Sequence, residues 1–157
     1  MSTLINTSNY IIKNNLDKLI LDIYNIAKEI YLKLGSGYKE HIYVSALNIH
    51  LHENNILFNN EIIIPIIYKD IQIGYERADT IIYSPENIIL EFKAQNNKLS
   101  IKEIKQLKKY LKNYENGKIK KGILFNFSVN LECIVIDDKS FYYLEDNLQD
   151  CDIKGAL

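Results

Sequence analysis

Apolar residues in the first third of the chain recur at three- and four-residue spacing, the period of an amphipathic helix. Between residues 16 and 34 they are Leu19, Ile20, Ile23, Ile26, Ala27 and Ile30. After "GSG" at 35–37, a second stripe comprises Ile42, Tyr43, Ala46, Leu47 and Leu51. The pattern therefore predicts two consecutive helices, over about 16–34 and 38–53.

From Ile56 the pattern changes to short β-branched runs separated by turn-forming residues, which is typical of strands. "ILFNNEIIIPIIYKD", "IQIGYERADTIIYS" and "NIILEFKA" predict a three-stranded meander over 56–94. A helix is predicted over 100–117, because Ser100 and Glu103 form a capping-box signature and Gly117 can end it.

Two further apolar runs follow this helix, "GILFNFSV" and "LECIVID", with a short edge segment "SFYYLE" after them. The predicted order is ααβββαββ. A helix that crosses over between two strands makes them parallel, so we expect an α/β fold with a mixed sheet flanked by helices.

Composition narrows the class of protein. With 157 residues, 47% of them hydrophobic, the chain is expected to form one domain over 1–157. The formal net charge of −1 excludes a globally basic nucleic-acid binder, so any polyanion surface must come from local clustering.

The cysteine and apolar content indicates a soluble, intracellular protein in a reducing compartment. Cys133 and Cys151 lack C-x-x-C spacing, which argues against a structural zinc site, and two cysteines cannot ligate an iron–sulfur cluster. No apolar run is long enough for a membrane span. The excess of Ile, Asn and Lys suggests an AT-rich coding genome, in which lysine is easily acquired, so the single arginine, Arg77, is more informative than an arginine usually is.

Candidate chemistry lies in "NIILEFKAQ", an apolar strand that carries Glu91 and Lys93. Residues at i and i+2 share a face, so this acid and base are neighbours. Asp79 can approach them from the preceding strand, and Arg77 is expected to share its face. Two carboxylates beside an ammonium suit Mg²⁺ and phosphodiester hydrolysis. The alternative is an ordinary ion pair on a solvated face.

Three ordered motifs carry a resemblance to a known family. "GYKEHIY" at 37–43 fits G-x-x-E-x-x-Y, Asp79 with "LEFKA" fits D…(D/E)-x-K, and "QLKKY" at 106–110 fits Q-x-x-x-Y. The chain thus resembles the GxxExxY family of the PD-(D/E)XK nuclease superfamily, with the last motif as in RecB-like nucleases. One departure is Ala78, where the superfamily name has proline.

The resemblance implies a restriction-endonuclease-like fold and a divalent-metal-dependent nuclease. Asp79, Glu91 and the backbone carbonyl of Phe92 would bind Mg²⁺, for which Mn²⁺ would substitute. Lys93 would be the catalytic base or orient the attacking water, and Glu40 would supply a further acid at the metal site.

The remaining implied residues concern the nucleic acid. Gln106 and Tyr110 would support the site or contact the nucleic-acid backbone. From Lys98 to Lys121 there are nine lysines against two glutamates, and Lys105, Lys109 and Lys112 share one helix face that could bind phosphates. A solvated lysine-rich helix is the alternative interpretation.

The sequence therefore predicts a Mg²⁺-dependent deoxyribonuclease that acts on DNA, most simply as a homodimer if it cuts both strands. Two rivals stay open. One is a catalytically silent nucleic-acid-binding or interaction module that retains the fold, and the other is a metal-independent structural protein.

Overall fold

The computed structural model describes residues 15–137 and 139–145. Its helices are α1 (Asn15–Leu34), α2 (Glu40–Glu53) and α3 (Ile101–Asn113), and a 3₁₀ turn (Tyr114–Gly117) follows α3. Its strands are β1 (Phe58–Tyr68), β2 (Ile71–Ile82), β3 (Ile88–Lys93), β4 (Lys121–Phe127), β5 (Leu131–Ile136) and β6 (Phe141–Tyr143). Cys151 lies outside the described residues.

All six strands form one sheet in the order in which they occur along the chain. Neighbouring strands are antiparallel except β3 and β4, which α3 joins and which run parallel. The predicted mixed sheet flanked by helices is therefore confirmed, and β6 adds one short strand to the predicted ααβββαββ order.

Two cores cover the two faces of the sheet, because alternate residues of a strand point to opposite sides. Ile88, Leu90 and Phe92 pack against α1 and α2 on one face. Ile89 packs against α3 on the other face. Glu91 shares the α3 face by the same alternation, which makes it a charged residue within an apolar layer. No helix in the described part of the chain is long and apolar enough to span a membrane.

Helix α3 begins where the capping-box signature places it. The Ser100 amide donates to Oε1 of Glu103 at 2.6 Å, and Oγ of Ser100 accepts from the Lys102 amide at 3.3 Å. Burial acts to raise the pKa of Glu103, but the hydrogen bonds from Ser100 outweigh it and hold that pKa below its usual value.

Strands β1 and β2 extend beyond the rest of the sheet. β2 pairs with β3 only from Thr80 to Ile82, whereas its pairing with β1 continues to a hairpin turn at Lys69 and Asp70. Both turn residues have positive φ, 50° and 62°, as a two-residue type I′ turn requires. Residues 62–78 thus form a two-stranded extension, which we call the ribbon.

The buried side of the β1–β2 pair changes at the base of the ribbon. Phe58 and Ile82, which pair with each other, pack into the core of α1 and α2. Ile64 and Ala78 instead pack against α3, although strict alternation would put them on the first side. Glu61, with φ of 52°, lies between the two regions, and Glu61 and Asp79 stand between the Asn60–Thr80 and Ile62–Ala78 pairs. The sheet therefore opens at Asp79.

Candidate active site

Two carboxyl groups lie side by side where β2 separates from β3. Beyond the Thr80–Leu90 pair, the next residues along the two strands are Asp79 and Glu91. Oδ2 of Asp79 accepts from the Phe92 amide at 2.7 Å, and Oε1 of Glu91 accepts from the Asp79 amide at 3.1 Å. Each carboxyl thus accepts from a backbone amide of the opposite strand, in place of the backbone carbonyl that would accept in a regular ladder. These two bonds fix both side chains in the opening.

Lys93 joins this pair to α3. Its Nζ lies 3.8 Å from Oε2 of Glu91 and donates to Oε1 of Gln106 at 3.1 Å. The side chains of Glu91 and Lys93 are only 7% and 20% exposed. A solvated ion pair on an open face therefore does not describe them, and Gln106 is the α3 residue in direct contact with the acid–base pair.

Burial makes ionisation of the two carboxyls unfavourable. Desolvation, followed by the charge of Asp79, raises the pKa of Glu91 to about 8. Desolvation also raises the pKa of Asp79, against the opposing effect of the Phe92 amide. Lys93 lowers both pKa values, but by less. Burial and the neighbouring Asp79 charge thus favour the protonated form of Glu91, and a cation in the opening would favour ionisation of both carboxyls.

Tyr110, the tyrosine of the Q-x-x-x-Y motif, lies on α3 close to the same carboxyls. It is 3% exposed, and burial raises the pKa of its hydroxyl, with further contributions from the charges of Glu91, Glu76 and Asp79. Glu76 pairs with Ile64 in the ribbon, and the change of buried side described above turns it towards α3. Sequence reasoning missed Glu76, because strand alternation carries no signal of that change.

Arg77 lies on the side of the ribbon that faces away from α3. Its neighbour Ala78 packs against α3, so alternation turns the Arg77 side chain to the other side. Arg77 is exposed on the other side of the ribbon, and its guanidinium carbon lies 5.8 Å from the centre of the Tyr75 ring. Among the described residues Arg77 forms no ion pair with Asp79 or Glu91.

The G-x-x-E-x-x-Y motif builds the turn that leads into α2. The hydroxyl of Tyr43 donates to the Gly35 carbonyl at 2.6 Å and accepts from the Tyr38 amide at 3.3 Å. Its ring stacks on Phe127, with 4.2 Å between the ring centres. Gly37 has φ of 105°, a conformation that side chains rarely adopt. The motif glycine and tyrosine are thus structural, and they fix the start of α2.

Glu40, the motif acid, is the first residue of α2 and faces Asp79 across a groove of about 810 Å³. The lining of this groove includes Tyr38, Lys39, Glu40, His41, Glu61 and Asp79. The charge of Glu40 contributes to the raised pKa of Asp79, after burial, so the two carboxyls interact. Helix α2 therefore brings Glu40 to the same site from the side opposite α3.

The donor set fits a hard divalent cation. Among the described residues, no three His, Cys, Asp or Glu side chains converge closely enough to hold a metal ion by themselves. Mg²⁺ commonly takes only one or two carboxylates and completes its shell with water and phosphate oxygens. Asp79 and Glu91 meet that requirement, since both would gain a partner for a charge that burial now disfavours.

Exposed lysines run along α3 beside the site. At 100° per residue, Lys102 and Lys109 lie next to Gln106 on the helix surface, and Lys105 and Lys112 continue the row away from it. Sequence reasoning identified the last three but not Lys102. The row thus begins next to the residue that contacts Lys93.

Comparisons with known proteins bear on the class of this site. A family model described as the PD-(D/E)XK nuclease superfamily matches residues 17–136. No curated protein matches the chain. A solved structure described as "Crystal structure of SSO0001" is similar, with a TM-score of 0.49 and 22% identity over 75% of this chain. The chain spans 59% of the length of that structure.

Proposed function

Because the chain belongs to the PD-(D/E)XK nuclease superfamily, we propose that it is a divalent-metal-dependent nuclease that hydrolyses phosphodiester bonds in DNA. The observation that carries the proposal is the crossed pair of Asp79 and Glu91, with Lys93 held between Glu91 and Gln106. A solely structural ion pair would not need a second buried carboxyl beside it, since that carboxyl raises the cost of burying the first.

In this proposal Asp79 and Glu91 hold Mg²⁺ or Mn²⁺, together with the backbone carbonyl of Phe92. The metal ion, when bound, polarises the phosphoryl group and makes a coordinated water more acidic. Glu40 faces Asp79 across the groove and would supply a further acid to the metal site. The amides of Phe92 and Asp79 keep both ligand carboxylates in place before the ion arrives.

Lys93 orients the attacking water and offsets the charge that develops on the phosphate. An ammonium group has three N–H donors. One is directed to Gln106 and one towards Glu91, which leaves the third for a water or a phosphate oxygen. Gln106 therefore acts by positioning Lys93. Tyr110, which is buried, supports the site from the side of α3.

The lysine row of α3, Lys102, Lys105, Lys109 and Lys112, would bind the DNA backbone. The whole chain has a formal charge of −1, so attraction to DNA has to come from such a local surface. Contacts of this kind release counterions, so that binding weakens steeply as salt is added.

Cleavage assays test the proposal. We expect cutting of linear or circular DNA with Mg²⁺ or Mn²⁺, none with EDTA, and a loss of at least about 100-fold in Lys93→Ala and Asp79→Asn. Lys33→Ala removes an exposed lysine at the end of α1 and should cleave normally. Cleavage that persists in EDTA or in the Lys93 variant would contradict the mechanism.

A silent nucleic-acid-binding module is the second candidate, because no three metal-ligating side chains converge within the described residues. It predicts salt-sensitive DNA binding that metal ions do not change, with no cleavage of any substrate. Calorimetric titration with Mn²⁺ separates the two candidates directly. Mn²⁺ binding by the wild-type chain that is abolished in Asp79→Asn supports the nuclease. The same heat of titration in the wild-type chain and in Asp79→Asn supports the module.

A further inference from the structure

A short connection joins the two elements that carry Lys93 and Gln106. β3 ends at Lys93 and α3 begins at Ile101, and we call the connection between them, residues 94–100, the linker. The Lys93 ammonium donates to Gln106 at 3.1 Å. The position of Gln106 relative to Lys93 therefore depends on how the linker is held.

Glu132 lies in one row with Lys93 across three strands. Lys93 on β3 pairs with Asn126 on β4, and Asn126 pairs with Glu132 on β5. Ile134, two residues after Glu132, packs against α3, so alternation turns Glu132 to the same side of the sheet. Neighbouring strands are about 4.8 Å apart, which places the backbone of Glu132 about 10 Å from that of Lys93. Glu132 is thus two strands away from Lys93, on the side that α3 covers.

The Glu132 carboxylate holds the linker at both ends. The backbone amide of Leu99, next to the N-cap of α3, donates to Oε1 at 3.1 Å and to Oε2 at 3.3 Å. The side-chain NH₂ group of Asn126 donates to Oε1 at 2.8 Å. The side-chain carbonyl of Asn126 in turn accepts from the backbone amide of Gln95 at 3.0 Å. Glu132 therefore holds Leu99 directly and holds Gln95 through Asn126.

No cation compensates the charge of Glu132 in the described part of the chain. The residue is partly buried, and none of the ion pairs between described residues includes it. A carboxylate in such a place is costly unless hydrogen bonds replace its lost water. The N–H groups of Leu99 and Asn126 supply those bonds, and a bond to an ionised acceptor is stronger than a bond to a neutral one.

We propose that Glu132 is a positioning residue of the nuclease, which sets the place of α3 and, through Gln106, the place of the Lys93 ammonium. Leu99 is 6% exposed and packs into the core around α3, so a shift of the linker at Leu99 moves the start of that helix. The expected effect on cleavage rests on the proposed nuclease function, whereas the expected effect on the position of Gln106 does not.

Cleavage kinetics of two Glu132 variants test the proposal. Glu132→Ala removes the acceptor of both N–H groups. We expect kcat to fall about 10- to 100-fold with KM changed less than about 3-fold, because a displacement of about 1 Å at a reacting group can cost about 100-fold in rate. Glu132→Gln keeps an oxygen that accepts hydrogen bonds and should bring kcat back to within about 5-fold of the wild-type value. A wild-type kcat in Glu132→Ala would overturn the proposal.

Asp137→Ala is the matched control, on the turn after the same strand. Oδ1 of Asp137 accepts from the backbone amides of Lys139 and Ser140, each at 2.8 Å, much as Glu132 accepts from the linker. Both alanine variants should unfold at a lower urea concentration than the wild-type chain, but only Glu132→Ala should lower kcat. An equal loss of kcat in the two variants would assign the effect to general destabilisation and overturn the positioning role.

A double-mutant cycle tests the route through Gln106. Gln106→Ala already frees the Lys93 ammonium, so adding Glu132→Ala should lower kcat by no more than about 3-fold further. Losses that multiply in the double variant would show that Glu132 does not act through Gln106.

The side-chain NMR signal of Gln106 tests the position of this residue in the metal-free full chain, without any cleavage. The NH₂ signal is assigned by its loss in Gln106→Ala. It should shift in Glu132→Ala and stay in place in Asp137→Ala. A signal that does not shift in Glu132→Ala would overturn the positioning role even if the chain cleaves DNA. A signal that shifts, in a chain that cleaves no DNA with any metal, would refute the proposed function and still support the role of Glu132 in placing Gln106.

Discussion

Replacing Glu91 with glutamine should stabilise the metal-free protein. Glu91 is 5% exposed, and burial and the Asp79 charge raise its pKa to about 8 from 4.5. Glutamine has the same shape, its carbonyl oxygen can accept from the Asp79 amide as Oε1 does, and its amide can donate to the Asp79 carboxyl. The substitution thus keeps the hydrogen bond from the Asp79 amide and removes the ionisable group, together with its contact with the Lys93 ammonium.

The sign and size of the effect follow from proton linkage. Above pH 4.5 the unfolded chain loses this proton while the folded chain retains it, so the free energy of unfolding falls with rising pH until about pH 8. Each pKa unit corresponds to about 1.4 kcal/mol. Glu91→Gln should therefore add about 1 kcal/mol of stability at pH 5 and up to about 3 kcal/mol at pH 7.

Urea unfolding in EDTA at several pH values measures this difference. Glu103→Gln is a matched control, because Glu103 is equally a buried glutamate but its pKa is lowered by its hydrogen bonds to Ser100. Glu103→Gln should lower the free energy of unfolding by about 1 kcal/mol at pH 7. This difference from wild type should disappear as the pH falls through the pKa of Glu103 in the folded protein. A Glu91 variant that is less stable than wild type at pH 7, or whose effect does not change with pH, would refute the reasoning.

Three further predictions concern the elements around the site. Tyr43→Phe keeps the ring but removes both hydrogen bonds to the turn before α2. The free energy of unfolding, measured by urea titration, should therefore fall by about 1–2 kcal/mol. Gln106→Ala frees the Lys93 ammonium, so kcat should fall about 10- to 100-fold with KM little changed, and an equal loss in KM would instead assign Gln106 to substrate binding. Replacing Lys105, Lys109 and Lys112 with glutamine should lower the slope of log affinity against log salt by about 2–3, whereas an unchanged slope would exclude the lysine row as the DNA surface.

Periodicity predicted most of the fold because most elements here have one clear apolar face. The two N-terminal helices, the meander and the capped α3 appear close to their predicted limits. The nearness of Glu91 and Lys93 followed from alternation within one regular strand. Alternation did not predict the position of Glu76, since the buried side of β2 changes beside Glu61, and no property of the neighbouring residues signals a local change in φ.

Lys93 and the two carboxyl groups of the site are held in place by different kinds of interaction. Asn126 is fully buried and lies beside Lys93 in the parallel pairing of β3 and β4. The side-chain carbonyl of Asn126 accepts from the backbone amide of Gln95 at 3.0 Å. Its side-chain NH₂ group donates to the backbone carbonyl of Asn97 at 3.1 Å and to the carboxylate of Glu132 at 2.8 Å. These bonds fix the segment between β3 and α3, and therefore the distance from Lys93 to Gln106.

In this network both polar groups of the Asn126 side chain are paired, which is the condition under which burial of polar groups favours one rigid arrangement. The carboxyl pair a few residues away is the opposite case, because burial opposes the ionised state that metal binding needs. The fold thus holds the segment after Lys93 through paired hydrogen bonds, and in the proposed function a bound cation would compensate the charge of Asp79 and Glu91. Removing Asn126 should therefore disturb the position of Lys93, whereas the cost of burying Glu91 should depend on both pH and metal.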